Sequence, residues 1–527
     1  MTDQIGAARP LWPAWALIFA YGLTHIIVYT IDADPITILY AFPATGLAFI
    51  LMRLGRRLPS ATPAAGWWLP IIPLALWMTW HIFVEVFGTF SIPAILFHLQ
   101  YDLGSNDVAL QIVLQIVSAV LPFTLVITCW IAFARGNTRL QRLGSAIVLP
   151  LFILNPFTLA TGIYFTRAYS ASTIALDTYY SDPRLAVAPA GKPKNLIRII
   201  LESTERTIWH EEVFSDIAAP LKKLEQRGFS AIGIEQAELT GWTLAGMVAS
   251  DCGVPLFGLG AIDRNEFSTI SDFMPNATCL SDLLARDGYR QVFIKGAQLS
   301  FSGTDRFLAS HNYKEALGFD ELAGEERVAD NDWGYDDDRV FEIALQRIEQ
   351  LSREPKPYHV TIQTLGGHSP KGYVSKSCTT RSDIMSYPNE TMRAFACTNT
   401  LTAEFIDHLD KRGLMNNAVL VVQSDHLAMR NEFYSELERQ ERRNTLIIIR
   451  KGFSGEVTRT AASMVDVFPT ILDAMNYRLP TNRAGLGTSL LSSEPTIVGQ
   501  FGLAAFDHSI LADTALRDRL WGLRPSN

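Results

Sequence analysis

The chain has 527 residues, of which 48% are hydrophobic, and a formal net charge of −8 at pH 7. This length exceeds one ordinary domain, so we expect two or more folding units. The negative charge offers no basic field for nucleic acid, which excludes that class of partner. The apolar residues are unevenly distributed, with long apolar runs before residue 167, and this indicates a part that is embedded in a membrane.

Five apolar segments with few charges precede residue 167, each near the roughly 20 residues that a helical span needs. They cover residues 11–30, 36–53, 67–88, 109–133 and 145–166. Arginines follow the second and fourth segments, whereas aspartates and no Lys or Arg occupy the connections after the first and third. Because positive residues stay on the cytoplasmic side, we expect a cytoplasmic N-terminus and a chain that continues outside the cytoplasm. A four-span arrangement is the alternative, and the charge alternation argues against it.

The pattern changes after this anchor of residues 1–166. Residues 167–193 are small, polar and Pro-containing, which is typical of a linker. From residue 194 to 527, helix-like stretches such as 340–351 and 400–412 alternate with five short aliphatic runs: Asn195–Leu201, Gln291–Ile294, His359–Ile362, Ala418–Val422 and Thr445–Ile449. This alternation predicts an α/β domain with a mostly parallel sheet flanked by helices.

Polar side chains follow three of these predicted strands. They are Glu202, Glu205 and Arg206 after the first strand, His368 after the third, and Asp425 and His426 after the fourth. In open α/β sheets, ligands bind beyond the carboxyl ends of the strands, so we expect these side chains to converge. Each one alone is also consistent with a turn. For Glu205 and Arg206, a capping or solvated surface role is as well supported as binding of a lipid headgroup.

A Gly-Trp-Thr turn at residues 241–243 precedes apolar residues at helical spacing, namely Leu244, Met247 and Val248. This places the Thr243 hydroxyl at a helix N-terminus, where unpaired backbone N–H groups favour an anion. The first hypothesis is a nucleophilic hydroxyl that meets a phosphate. The alternative is that Thr243 only caps the helix. The polar residues at three strand ends favour the catalytic interpretation.

Phosphoryl transfer through a covalent intermediate needs an oxygen nucleophile, a cation and a proton donor. Glu202, Asp425 and His426 supply a mixed oxygen and nitrogen ligand set that suits Mn²⁺ or Zn²⁺. The oxygen of Thr243 would complete a four-ligand site. His368, in a Gly-Gly-His turn, is a candidate acid or substrate-binding residue.

Four segments carry a family resemblance: Leu201-Glu-Ser-Thr-Glu-Arg-Thr207, Gly241-Trp-Thr-Leu-Ala-Gly-Met-Val-Ala-Ser-Asp-Cys-Gly-Val-Pro255, Gly367-His368 and Ser424-Asp-His-Leu-Ala-Met429. They resemble the membrane-anchored phosphoglycerol transferases of the alkaline phosphatase superfamily, which include the lipoteichoic acid synthases. The resemblance spans roughly residues 195–490 and is greatest to the Gram-negative branch that modifies periplasmic glucans. Lipoteichoic acid synthases carry Trp-Asn-Arg after a Ser-Phe pair, whereas here Ser300-Phe301 precedes Ser302-Gly-Thr304. This departure favours the glucan-modifying branch.

The resemblance implies an alkaline phosphatase-like catalytic domain and a two-step reaction. Thr243 would attack phosphatidylglycerol, form a phosphoglyceryl-threonine and release diacylglycerol, and a periplasmic glucan hydroxyl would then accept the phosphoglycerol. It also implies a divalent metal held by Glu202, Thr243, Asp425 and His426, with Mn²⁺ the first choice and Mg²⁺ or Zn²⁺ as alternatives. Substrate contacts are expected from Glu205, Arg206, Trp242 and His368.

Four of the five cysteines lie in the predicted outer domain, where an oxidising compartment favours disulfides. From proximity in sequence we predict the pairs Cys252–Cys279 and Cys378–Cys397. Buried free thiols are the alternative. The predicted location is the bacterial inner membrane, with several spans and a periplasmic catalytic domain.

Two other functions remain open at this point. A phosphoethanolamine transferase acting on lipid A or a glycan would use the same anchor, metal site and threonine. A non-catalytic membrane sensor that binds lipid headgroups is a second alternative, although the intact set of polar residues argues against it. A sulfatase is set aside, because the nearest candidate for the Cys-x-Pro-x-Arg pattern, Cys252-Gly-Val-Pro255, has the wrong spacing and lacks the Arg.

Overall fold

The computed structural model describes residues 68–87, 90–92, 95, 110–134, 148–258, 272–323 and 328–523. The chain divides into two units, one drawn from residues 1–90 and 108–165 and the other from residues 91–107 and 166–527.

In the first unit, the described helices are Ile71–Phe87, Leu110–Ala134 and Pro156–Ala168, the last of which runs to the border of the second unit. The first two pack together, with the rings of His81 and Phe123 5.8 Å apart. These helices overlap the third, fourth and fifth predicted spans, and the predicted spans 11–30 and 36–53 lie outside the described residues. Among the residues that the structure describes, no helix has the length and apolar character needed to cross a membrane.

The second unit is built on an eight-stranded sheet in the order β5-β4-β6-β1-β7-β8-β2-β9. In chain order the strands are β1 Asn195–Leu201, β2 Phe229–Ala231, β3 Ile234–Glu235, β4 Arg290–Lys295, β5 Glu315–Leu317, β6 Tyr358–Gln363, β7 Ala418–Ser424, β8 Leu446–Ile449, β9 Glu456–Thr458, β10 Ala462–Ser463, β11 Arg483–Ala484 and β12 Gly487–Thr488. Strands β5, β4, β6, β1 and β7 are parallel, whereas β8 runs against both β7 and β2. The predicted, mostly parallel sheet is confirmed.

Helices cover both faces of this sheet, because the central strands are apolar on both sides. In β1, Leu196 and Ile200 belong to one core, and Ile197, Ile199 and Leu201 belong to the other. The helices of the second unit are Leu176–Tyr179, Glu211–Phe214, Ala219–Glu225, Thr243–Cys252, Leu280–Arg286, Thr304–Ser310, Phe319–Leu322, Asp337–Ser352, Ser382–Met385, Glu390–Lys411, Tyr434–Glu438, Val467–Ala474, Ile497–Phe501, Leu503–Ala512 and Thr514–Trp521.

Two long amphipathic helices, Asp337–Ser352 and Glu390–Lys411, pack on the face that carries Ile197 and Ile199. The Thr243–Cys252 helix packs on the opposite face, where Leu244 and Val248 are fully buried. The helix predicted from the apolar spacing after the Gly-Trp-Thr turn is therefore confirmed.

The segment predicted as a linker, residues 167–193, makes backbone pairings with the rest of the second unit. Ser181 pairs with Gly485, and Val187 pairs with Arg478. These contacts dock the segment against the turn between β11 and β12 and against the residues that precede it.

Two disulfides are present, and both have the predicted pairing. Cys252 joins Cys279, 27 residues away, and so ties the C-terminal end of the Thr243–Cys252 helix to the start of the Leu280–Arg286 helix. Cys378 joins Cys397, 19 residues away, and attaches the loop after β6 to the Glu390–Lys411 helix. All four cysteines are buried.

Replacing both Cys252 and Cys279 by Ser should lower the free energy of unfolding by about 3 kcal/mol, because the unfolded chain loses a closed loop of this length. Urea unfolding followed by circular dichroism measures the change. The double variant of Cys378 and Cys397 opens a loop of similar length and should lose a comparable amount. Unchanged stability in the first variant would contradict a structural role for this bridge.

Candidate functional site

The site lies where β1 and its two parallel neighbours end. Strand β1 pairs with β6 on one side and with β7 on the other, and Leu201 is in register with Ser424. Glu202 and Asp425 are the next residues along these two chains. Parallel pairing therefore brings carboxylates that are 223 positions apart in sequence to one edge of the sheet.

Thr243 is the first residue of the Thr243–Cys252 helix and is the partly exposed member of that otherwise buried helix. Its Oγ1 lies 3.3 Å from Oε2 of Glu202 and 3.5 Å from Nε2 of His426. A hydroxyl in this position lies beside the unpaired N–H groups of a helix N-terminus, where an anion is favoured.

Backbone N–H groups from two segments hold the carboxylate of Asp425. Its Oδ1 accepts hydrogen bonds from the backbone N–H of Ser203 at 2.9 Å and of His426 at 2.8 Å. Its Oδ2 is buried and accepts no hydrogen bond within the described part of the chain, although Nε2 of His426 lies 3.4 Å away. A buried carboxylate oxygen in this state needs a cation or a donor, since desolvation without a partner is unfavourable.

His426 presents one ring nitrogen to the same point. Its Nδ1 donates to the carbonyl oxygen of Leu427 at 2.7 Å, which leaves Nε2 directed at the acids. Nε2 lies 3.5 Å from Oε1 of Glu202 and 3.4 Å from Oδ2 of Asp425. Ligand atoms of these three residues all lie within 4.8 Å of one another. Two carboxylates and one imidazole at this spacing fit a divalent metal.

The electrostatics of this cluster favour an added positive charge. Burial and the negative charge of Glu202 raise the pKa of Asp425. Burial alone would lower the pKa of His426, but the carboxylates of Asp425 and Glu202 outweigh it and raise that pKa to about 9. Burial likewise opposes ionisation of Glu202, yet His426 and His368 hold its pKa well below the usual range. Opposite charges at short range in a low-dielectric site explain these shifts.

Two glycines allow the elements to approach this closely. A Cβ at Gly246 would overlap the backbone oxygen of Asp425, so the Thr243–Cys252 helix packs directly on the loop that carries the acid. A Cβ at Gly367 would overlap the backbone oxygen of Glu202. Any larger residue at either position would push the site apart.

A buried ion pair anchors the far end of the same helix. The guanidinium of Arg198, in β1, pairs with Asp251 and donates to Oγ of Ser250 at 2.5 Å. Its Nε donates to Oε1 of Gln423 at 3.0 Å, so the arginine links β1, β7 and the helix. The charge of Arg198 is fully buried, and each of its nitrogens contributes to this network.

A pocket opens beside the cluster and extends away from Asp425. Glu202, Thr243 and His368 line it together with Lys295, Gln363 and Trp333. Nδ1 of His368 donates to the carbonyl of Ser369 at 2.8 Å, and the ring contacts Trp333 in a tilted arrangement with the ring centroids 4.3 Å apart. His368 is thereby oriented at the pocket wall.

The structure thus brings together the predicted residues Glu202, Thr243, His368, Asp425 and His426. The three other predicted substrate contacts, Glu205, Arg206 and Trp242, do not line this pocket, and each has other contacts.

The carboxylate of Glu205 is fully buried, pairs with Arg442 and accepts from the N–H of Ala428 at 2.8 Å. The guanidinium of Arg206 pairs with Glu225 and lies over Trp209. Trp242 is packed in the apolar core. These ion pairs and core contacts involve residues that are distant in sequence, so local sequence pattern does not predict them.

Sequence reasoning missed Lys295 and Gln363, which are the last residues of β4 and β6. The rule that ligands bind beyond strand ends applies to them as well. Lys295 directly follows the second predicted strand, and Gln363 directly follows the third.

Residues 256–477 match the family model described as Sulfatase. The match includes His368, Asp425 and His426, and it begins after Glu202 and Thr243.

A part of the chain is similar to proteins named Phosphoglycerol transferase I. The one from Escherichia coli O6:K15:H31 (strain 536 / UPEC) is 36% identical over 323 residues, which are 60% of this chain and 41% of the relative. The one from Shigella boydii serotype 18 is 35% identical over 323 residues, which again are 60% of this chain and 41% of the relative. The chain thus matches less than half the length of these relatives.

Among solved structures, a protein in the alkaline phosphatase superfamily from Vibrio parahaemolyticus has a TM-score of 0.47 and 20% identity, covering 63% of this chain and 79% of that one. A lipoteichoic acid synthase from Listeria monocytogenes has a TM-score of 0.47 and 16% identity, covering 63% and 81%.

Gly246→Ala should destabilise the protein by about 1–3 kcal/mol, because the added methyl group meets backbone that cannot rotate away. Urea unfolding measures the loss. Gly191→Ala is the matched control, since a Cβ there meets no atom within 4 Å. Equal stability of the two variants would contradict the close packing of this helix on the Asp425 loop.

Proposed function

We propose that the protein transfers phosphoglycerol from phosphatidylglycerol to a hydroxyl of a periplasmic glucan, through a covalent phosphoglyceryl-threonine, and releases diacylglycerol. The observation that carries this proposal is the position of Thr243 Oγ1, 3.3 Å from Glu202 and 3.5 Å from His426 at a helix N-terminus. Relatives named Phosphoglycerol transferase I, 36% identical over 323 residues, support the choice of transferred group.

In the first half of the proposed reaction, the Thr243 oxygen attacks the lipid phosphorus and its proton passes to water. The bond from phosphorus to the diacylglycerol oxygen breaks. His368 lines the pocket with Nε2 free of the Ser369 contact, so it can give its proton to the departing oxygen. The helix N-terminus stabilises the negative charge on the phosphate.

In the second half, a glucan hydroxyl attacks the same phosphorus and gives its proton to the now neutral His368. The bond from phosphorus to Thr243 breaks, and the threonine oxygen regains a proton from water. The two halves together return both residues to their starting state and consume one lipid for each phosphoglycerol transferred. This division into two displacements is the usual logic of an activated nucleophile.

Glu202, Asp425 and His426, with the Thr243 oxygen, would hold a divalent cation, and the clustering of their ligand atoms within 4.8 Å supports this assignment. When bound, the cation lowers the pKa of a hydroxyl and offsets the charge that develops on the phosphate. Mn²⁺ is our first choice and Mg²⁺ or Zn²⁺ the alternatives, because the ligand set mixes oxygen with one imidazole nitrogen.

The disulfides support the proposed periplasmic location. Two bridges form and persist most readily outside the cytoplasm. Attachment to the inner membrane through residues 1–166 is part of the same proposal, and it rests on the apolar segments and on the arginine distribution of the sequence.

The Cys252–Cys279 bond also bears on the sulfatase alternative. A sulfatase of this superfamily would need a cysteine or serine that is converted to formylglycine. Cys252 is buried in the bridge with Cys279 and is unavailable for this conversion. Thr243 occupies the place beside the acids instead.

Phosphatidylglycerol, supplied with Mn²⁺, should leave a glycerophosphate adduct on the Thr243 peptide that mass spectrometry detects. Thr243→Ala should lose diacylglycerol release by roughly 10³-fold or more, as expected when a nucleophile is removed. Thr379→Ala, at an exposed threonine, is the matched control.

Each alternative has its own outcome in this experiment. Diacylglycerol release undiminished in Thr243→Ala would overturn the proposed nucleophile. An adduct formed only from phosphatidylethanolamine would favour the phosphoethanolamine transferase. Headgroup binding with no release from either lipid would favour the non-catalytic sensor.

Asp425→Asn should weaken Mn²⁺ binding by at least 10-fold, because one charged ligand oxygen is replaced by a neutral group in a buried site. Isothermal titration with Mn²⁺ measures the affinity without any need for turnover. Asp383→Asn, at an acid whose side chain is 70% exposed, is the control and should bind like the unmodified protein. Unchanged affinity in Asp425→Asn would contradict the assignment of this ligand.

A further inference from the structure

The pocket has a second end, away from the acids. Lys295 and Gln363 are the last residues of β4 and β6, and they are in register as neighbours. Because the strands are ordered β4-β6-β1-β7, these two side chains lie on the opposite side of Glu202 from Asp425. The pocket therefore runs along the sheet edge from Thr243 to Lys295.

Two polar atoms at this end are buried without partners. Oε1 of Gln363 and Oγ of Ser302 have no hydrogen-bond partner within the described ranges, and both residues are 5% exposed. Both line the pocket. Buried polar atoms in folded proteins are almost always paired, so these two indicate a bound group that carries hydroxyl or similar functions.

Lys295 supplies a positive charge at the same end. It is 4% exposed, and its Nζ has a hydrogen bond of 3.5 Å to Oγ1 of Thr304. No carboxylate of the described residues lies within ion-pair distance of it. Burial lowers its pKa to about 8, against the opposing charges of Glu202 and others, so the ammonium is mostly charged at neutral pH.

We propose that Lys295, Gln363 and Ser302 form a headgroup subsite that accepts an uncharged polyol and rejects a headgroup bearing an ammonium. This inference rests on the proposed function, in which the headgroup stays on Thr243 while diacylglycerol leaves. The retained group must then occupy the pocket beside Thr243, and the pocket leads to Lys295.

The polar groups of the subsite explain why it would accept a glycerol headgroup and reject an ethanolamine headgroup. A glycerol hydroxyl can donate to Oε1 of Gln363 and accept from the ammonium of Lys295. An ethanolamine ammonium has donors only, and its charge is repelled by Lys295 at short range in a poorly solvated pocket. One subsite thus favours phosphatidylglycerol and disfavours phosphatidylethanolamine.

The test compares kcat/KM for diacylglycerol release from the two lipids, each in the same detergent micelles with Mn²⁺. The unmodified protein should prefer phosphatidylglycerol by at least 100-fold. Lys295→Met, which keeps length and removes charge, should reduce this preference by at least 10-fold, partly through faster turnover of phosphatidylethanolamine. Lys356→Met, at an exposed lysine, is the matched control and should keep the original preference.

A second variant separates hydroxyl recognition from charge. Gln363→Met should lower kcat/KM for phosphatidylglycerol by at least 5-fold and leave phosphatidylpropanol, whose headgroup is uncharged and lacks hydroxyls, unaffected. Phosphatidylethanolamine should stay excluded in this variant, since Lys295 is intact. This comparison also decides the matter if Lys295→Met does not fold.

The outcomes separate a failure of the proposed function from a failure of the headgroup subsite. Absence of a Thr243 adduct from any lipid would overturn the proposed function and the subsite with it. An adduct on Thr243 with the same lipid preference in the unmodified protein and Lys295→Met would overturn the subsite alone. Equal losses for phosphatidylglycerol and phosphatidylpropanol in Gln363→Met would also overturn it.

Discussion

Parallel pairing of β1 with β6 and β7 brings the two carboxylates of the site together. Main-chain hydrogen bonds hold these strands in register, so Leu201 and Ser424 end level with each other. The residues that follow, Glu202 and Asp425, therefore lie at the same edge of the sheet. There the negative charge of Glu202 raises the pKa of Asp425. Two buried carboxylates held close together favour the binding of a cation. A mostly parallel sheet can bring such residues together even when they are distant in sequence.

The Thr243–Cys252 helix is held at both ends, and this is how its first hydroxyl keeps a defined position. Gly246 lets its first turns lie on the Asp425 loop. At the far end, Asp251 pairs with Arg198 and Cys252 is bonded to Cys279. Each restraint acts through a different kind of interaction, so the Thr243 oxygen is preorganised before any ligand arrives.

The pocket separates two electrostatic tasks along the sheet edge. The acids and His426 form an end that attracts a cation, whereas Lys295 gives the other end a positive charge. A molecule that bridges the two ends needs an anionic centre near Thr243 and an uncharged, hydroxyl-rich group near Lys295. Phosphoglycerol has this distribution of charge, which links the proposed reaction to the proposed selectivity.

Local pattern in the sequence predicted five of the twelve described strands, the start of the helix at Thr243 and the polar residues at three strand ends. It also predicted the pairing of the cysteines, because each of these features depends on near neighbours or on a short chain separation. Only the tertiary structure determined the contacts of Glu205, Arg206 and Trp242. Glu205 pairs with Arg442, Arg206 pairs with Glu225, and Trp242 packs in the core. Local sequence pattern does not predict these partners, because they are distant in the chain. The position of Lys295 in the pocket was also determined only by the tertiary structure, because it depends on β4 lying next to β6. Strand order is a property of the folded sheet, and it alone brings that lysine to the pocket.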